Sequence, residues 1–165
     1  MIERIERQRA VTMKQTNLVQ TGSSITTVEA GWYVPEPGVK FKVLVSTEQA
    51  AGSYCCLETI AQSGTGSPIH IHHNEDEHFL ILEGTAHLLL DEDKIDVPAG
   101  QTITLPRGVA HAWSNKSDVP LRMIALFSPG GFDQLCVAMA EGTIDASDMS
   151  NLRTRFGLEL LGPKL

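Results

Sequence analysis

Cysteine is scarce in this 165-residue chain, where Cys55, Cys56 and Cys136 form an odd set of three. Two of them are adjacent, and successive strand positions point to opposite faces, so a disulfide framework is excluded. The three read as buried thiols of a reducing compartment. Also missing is any run of about eighteen apolar residues able to span a bilayer, and the N-terminus holds no apolar signal-peptide core. The expected location is therefore the cytoplasm, with no membrane partner. Basic charge is short too: thirteen Lys and Arg face twenty Asp and Glu, for a net charge of −7. No chain-wide positive field exists to neutralise phosphates, which argues against nucleic acid as a partner. The one locally basic stretch, with Arg4, Arg7, Arg9 and Lys14, reads as a solvated arm.

The chain also lacks an internal repeat, a low-complexity tract or a linker that would mark a second domain, and its length suits one core. From residue 26 to 128 short β-branched and aliphatic runs alternate with PEPG, SGTGSP, Glu83-Gly84, DEDK, PAG and PRG. These separators supply positive or preset φ angles, so the pattern is that of an antiparallel all-β sandwich or barrel. The first expected strand is TTVEAGWYV and the last is PLRMIALFS. After Gly130-Gly131 the spacing changes. FDQLCVAMAEG carries apolar residues at helical intervals, and ASDMSNLRTRFGLELLG reads as a second helix behind an Asp or Ser cap. The expected organisation is an N-terminal arm over 1–25, a β-barrel over 26–128 and a helical segment over 129–165 packed outside it.

Histidine is where the sequence is rich. Five of the six histidines fall within HIHHNEDEHFLILEGTAH, residues 70–87. Imidazoles are costly to bury unless bonded or ligated, so this density needs a chemical reason. His70 and His72 are two apart on an expected strand, which places both rings on one face as a chelating pair. Glu77 can return beside them if the chain turns through His73-Asn74-Glu75-Asp76. The remaining histidine, His111, follows the turn PRG and can reach the same place from a distant strand. Three imidazoles and a carboxylate suit one divalent Mn, Fe, Ni, Cu or Zn, with about two coordination positions left open.

These residues also lie in two spaced patterns. Gly64, His70, His72, Glu77 and Gly84 fit G-x5-H-x-H-x4-E-x6-G, and Gly100, Pro106, Gly108, His111 and Asn115 fit G-x5-P-x-G-x2-H-x3-N. In both patterns the chain resembles the cupins. The resemblance implies a double-stranded β-helix, or jelly-roll barrel, with the metal inside on His70, His72, Glu77 and His111. Beyond the motifs, FSPGGFDQL looks like single-domain relatives of quercetin dioxygenase.

The spacing to Gly84 selects Glu77 over Glu75 and Asp76, which read as solvated turn acids. By strand parity His73 and His78 should point away from the metal, whereas parity leaves His87 open. Phe79, Ile81, Trp113 and Met123 are candidates to line an apolar pocket around the ion. The expected activity is a metal-dependent dioxygenase acting on a small chelating substrate, with Glu77 as catalytic base. A metal-dependent isomerase or decarboxylase and a non-catalytic binding module are the alternatives. An exposed barrel edge and TTVEAGWYV suggest a homodimer.

Overall fold

The computed structural model describes residues 16–21, 24–29, 31–144 and 148–165. Thirteen strands account for most of them. β1 (Thr16–Thr21) and β2 (Ser24–Glu29) form a separate antiparallel ribbon, in register from Thr16↔Glu29 to Thr21↔Ser24. The expected arm over 1–25 therefore contains a strand. TTVEAGWYV is not one strand either: β2 ends at Glu29, and β3 (Tyr33–Glu36) belongs to another sheet. The competing partner explains the break, because TNLVQT can pair with the residues just after it.

Two antiparallel sheets make the body. One has the order β10-β7-β12-β5-β4-β3 and the other β13-β6-β11-β8-β9. The first uses β3, β4 (Val39–Val45), β5 (Cys55–Ala61), β7 (Asp76–Glu83), β10 (Thr102–Leu105) and β12 (Leu121–Ser128). The second uses β6 (Pro68–His72), β8 (Thr85–Leu90), β9 (Asp93–Pro98), β11 (His111–Ser114) and β13 (Leu158–Lys164). This is the jelly roll that the short, turn-punctuated strands call for.

Strand alternation builds the core. On β12 the residues Leu121, Met123, Ala125 and Phe127 are buried and those between them are half-buried. They meet Phe41, Leu57, Phe79, Ile81, Leu88 and Leu105 from the surrounding strands. Each large apolar side chain so enclosed is worth about 1.5–3 kcal/mol relative to exposure. Gly84 lets the sheet close: its φ is 77°, and a Cβ there would stand 2.8 Å from the Pro120 carbonyl oxygen. Asn115 does the same work by hydrogen bonding. Its buried side-chain amide donates to the carbonyls of Ala61 and Val119 at 3.0 and 2.8 Å, tying the end of β11 to β5.

The C-terminal segment departs from expectation. α1 (Phe132–Ala140) forms where the apolar spacing places it and is followed by Gly142 at φ 69°. The second helix does not extend through ELLG. A short turn of helix, Met149–Asn151, passes into one π-helical turn, Leu152–Phe156. Gly157 then takes φ 68° and ends it, and β13 follows, pairing with β6. A left-handed glycine is a helix stop, and the Gly162-Pro163 pair beyond it opposes helix as well. Leu158 and Leu160 thus alternate along a strand and do not repeat around a helix. Nor is α1 merely external, since Phe132, Cys136 and Val137 pack against the barrel core.

Candidate metal centre

The two sheets converge on one cluster. β6 supplies His70 and His72, β11 supplies His111, and β7 of the opposite sheet supplies Glu77. His111 stands directly across from His70 in the β6–β11 register, whereas Glu77 is held between Leu105 and Phe127 of its own sheet. All four are buried, and one donor atom from each lies within 4.8 Å of the others. Glu77 Oε2 is 3.0 Å from His111 Nε2 and 3.8 Å from His72 Nε2.

Backbone carbonyls orient two of the rings. His70 Nδ1 is 2.7 Å from the Pro68 carbonyl oxygen, and His111 Nδ1 is 2.9 Å from that of Val109. A carbonyl only accepts, so each Nδ1 carries a proton; His70 Nε2 is left with its lone pair inward, whereas His111 Nε2 faces the Glu77 carboxylate and needs a proton of its own to donate to it. His72 differs. It is 1% exposed, yet neither of its ring nitrogens has a hydrogen-bond partner. A buried imidazole left in that state costs free energy that a ligated ion would offset, and this orphaned ring is the observation that fits a metal to the site.

The electrostatics agree. Burial, helped by the neighbouring His72 and His111, lowers the His70 pKa to about 4, which keeps that ring neutral. Burial opposes charge on Glu77 as well, but the His111 hydrogen bond and the surrounding imidazoles prevail and lower its pKa. Burial likewise works against a charged His111, and its bond to Glu77 outweighs it, raising the pKa. A proton on His111 thus stands in for the cation that Glu77 requires.

The other acids and histidines fall out around this cluster. Asp76 is at the surface as expected, where Arg107 grips both of its carboxylate oxygens. Glu75 is a correction: it is 3% exposed, and its Oε2 lies 3.5 Å from His72 Nδ1. No local signal separates it from a solvated turn acid, because what buries it comes from distant segments. His73 turns outward to Glu159 at 2.7 Å, His78 meets Thr104 on β10 at 2.9 Å, and His87 meets Asp96 at 2.7 Å. The three cysteines are free, with Cys55 buried and Cys56 and Cys136 half-buried.

A cavity of ≈ 440 Å³ opens against the cluster at His70 and Glu77. Phe79, Trp113 and Met123 are among its lining residues, and Phe127, Phe132 and Met139 add to the apolar wall. Ile81 does not line it. That residue shares the parity of Glu77 but sits four positions along the strand, about 13 Å at the usual rise, in solid core. Among the described residues no helix is long and apolar enough to cross a membrane.

Residues 56–127, which contain all four candidate ligands, match the family model of the cupin domain. Over 75 residues the chain is 32% identical to mannose-1-phosphate guanylyltransferase 2 of Escherichia coli O157:H7, covering 46% of this chain and 16% of that one. An uncharacterized protein of Methanocaldococcus jannaschii is 33% identical over 72 residues, 44% of this chain and 58% of its own length. The chain thus spans less than two thirds of either relative. Among solved structures, KdgF from Halomonas sp. superposes with a TM-score of 0.55 at 22% identity, over 63% of this chain and 92% of that one. A predicted oxalate decarboxylase from Thermotoga maritima gives 0.55 at 19% identity, over 61% and 91%. These likenesses show the fold alone, and within it residues 56–127 carry the match to the cupin domain.

Proposed function

We propose that His70, His72, Glu77 and His111 hold one divalent transition metal, and that the site belongs to a dioxygenase acting on a small, largely apolar substrate with neighbouring oxygens. The carrying observation is the apolar cavity that ends on His70 and Glu77. Among the described residues lining it the only Lys or Arg is Lys164, and that side chain is paired with Glu36. A phosphorylated sugar would need free cations in that wall, whereas a flat, aromatic or diketone-like molecule needs the apolar surface that Phe79, Trp113 and Met123 provide.

A bound divalent ion would supply Lewis acidity and open positions for two chelating oxygens. The protein's own contribution is threefold. The imidazoles of His70 and His111 are oriented by carbonyls on Nδ1, so each Nε2 points inward without needing to turn, and His111 would give up the proton it shares with Glu77 to ligate. Glu77, kept anionic by its surroundings, can accept the proton that a substrate hydroxyl loses at Oε2. Phe79, Met123 and Phe127 exclude water from that transfer and strengthen every charge interaction within it.

The test is dioxygen uptake by the metal-loaded protein with a panel of flavonols, diketones and catechols. Uptake coupled to substrate loss is the expected result. Turnover that persists without oxygen would instead mark an isomerase or decarboxylase, and metal binding without turnover a binding module.

A further inference from the structure

We propose that Glu75 is a positioning residue of the metal centre: its buried carboxylate is the outer partner of His72 Nδ1 and holds that ring with Nε2 toward the ion. The inference rests on the metal-binding reading above. Among the described residues, the buried side-chain atoms without a partner are His72 Nδ1, His72 Nε2 and Glu75 Oε2. They are one feature. Glu75 Oε2 faces His72 Nδ1 across 3.5 Å, and on the far side of the ring His72 Nε2 faces Glu77 Oε2 across 3.8 Å. One edge of the imidazole thus looks into the ligand set and the other looks at Glu75. The first gap exceeds a hydrogen bond of about 2.7–3.2 Å by an amount that a slight side-chain rotation removes.

His70 and His111 show what such a ring requires, since each has a backbone carbonyl on Nδ1. For His72 a carboxylate takes that place, and carboxylate–histidine–metal chains both fix the tautomer and raise the basicity of the ligating nitrogen. Charge gives a second reason. Glu75 and Glu77 together balance a dication held by three neutral imidazoles, so neither buried acid is left uncompensated.

The turn that carries Glu75 packs closely against two glycines. A Cβ on Gly131, at the start of α1, would lie 3.3 Å from Glu75 Oε1, and one on Gly157 would come within 2.5 Å of the Asn74 side chain. Behind Glu75 a polar pocket of ≈ 580 Å³, lined also by Arg107, Gln134 and Arg155, leads out to the surface. A small carboxylate can reach the Glu75 position by that route.

The experiment measures Co²⁺ affinity by chelator competition at one pH, for the parent, Glu75→Ala and Glu75→Gln, with and without formate at constant ionic strength. Glu75→Ala should lose about ten- to a hundredfold in affinity, the usual effect of removing an outer partner, and formate should restore part of it. Glu75→Gln should lose less, because its amide oxygen still accepts from Nδ1–H. The melting temperature of the metal-free protein should not fall, since the buried Glu75 Oε2 makes no hydrogen bond there. Glu75→Ala binding within about twofold of the parent would overturn the proposal, well under the loss such partners cause. So would a loss that formate leaves untouched and that comes with a lower metal-free melting temperature. A parent that fails to bind Co²⁺ would remove the metal centre itself, and this inference with it.

Discussion

His70 and His111 occupy directly paired positions of β6 and β11, and their rings meet with centroids 4.4 Å apart. Sheet register therefore sets the spacing between two of the proposed ligands. A one-residue slip of either strand would turn its ring to the other face.

The neighbouring pair His72 and His73 tests that register, because the side-chain chemistry is the same and only the facing differs. His72→Ala should reduce metal affinity severely, leaving two imidazoles and a carboxylate. His73→Ala removes an outward contact to Glu159 and should stay within about tenfold of the parent. Chelator competition at a single pH compares them.

Glu77→Gln should keep much of the metal, since the amide oxygen still ligates weakly, while turnover falls further than occupancy. Metal content and steady-state rate measured on the same sample give the two numbers. Equal losses would make Glu77 a ligand alone.

Core and cavity wall should separate cleanly. Ile81→Ala is expected to cost about 2–5 kcal/mol by cavity formation and to leave metal affinity unchanged. Trp113→Ala, at a half-buried position of the cavity wall, should instead alter substrate affinity. Urea unfolding together with ligand titration distinguishes the two.

Without metal, stability should depend on pH through His70. Its folded pKa of about 4 lies below the ordinary 6.5, so between those values the unfolded chain holds a proton that the folded chain lacks. The stabilisation is full above pH 6.5 and is lost as pH falls toward 4, on the order of 3 kcal/mol in all. His111, with a raised pKa, acts in the opposite sense: its contribution is full below its ordinary pKa and is lost as pH rises through the raised one. Melting curves of the chelator-treated protein should shift downward on acidification, and His70→Gln should flatten that shift.

A homodimer is expected from the open edges at β9 and β10 and from the exposed Leu80 and Leu82 of β7. Light scattering should return about twice the chain mass of 18.0 kDa.

What the sequence disclosed and what it withheld have physical causes. The barrel was legible because its strands are short, alternate cleanly and end at residues with special φ, as at Gly84. His70 and His72 stood out because period-two spacing puts them on one face, whereas the full set with Glu77 and His111 came from the resemblance of two spaced motifs. Glu75 was not legible. It sits in a polar turn like any solvated acid, and the segment that packs against it, at Gly131, is far off in the chain. The final strand was hidden by the spacing of Leu158, Leu160 and Leu161, which suits either period, while the decisive left-handed turn at Gly157 lay between two apparently helical runs. Ile81 was misplaced because parity gives the face of a residue and says nothing of its height along the strand.

β13 pairs with the strand that carries both His70 and His72, setting Leu160 opposite the first and Leu158 opposite the second. During synthesis β6 emerges long before its neighbour. Until residues 158–164 have left the ribosome and folded back, one side of that strand is a naked template for any passing chain. A nascent chain stalled short of residue 158 would have all four proposed ligands but an open flank beside two of them. Closing that flank would then be the docking of a seven-residue strap, and removing it should show first as aggregation on overexpression and only secondarily as loss of metal.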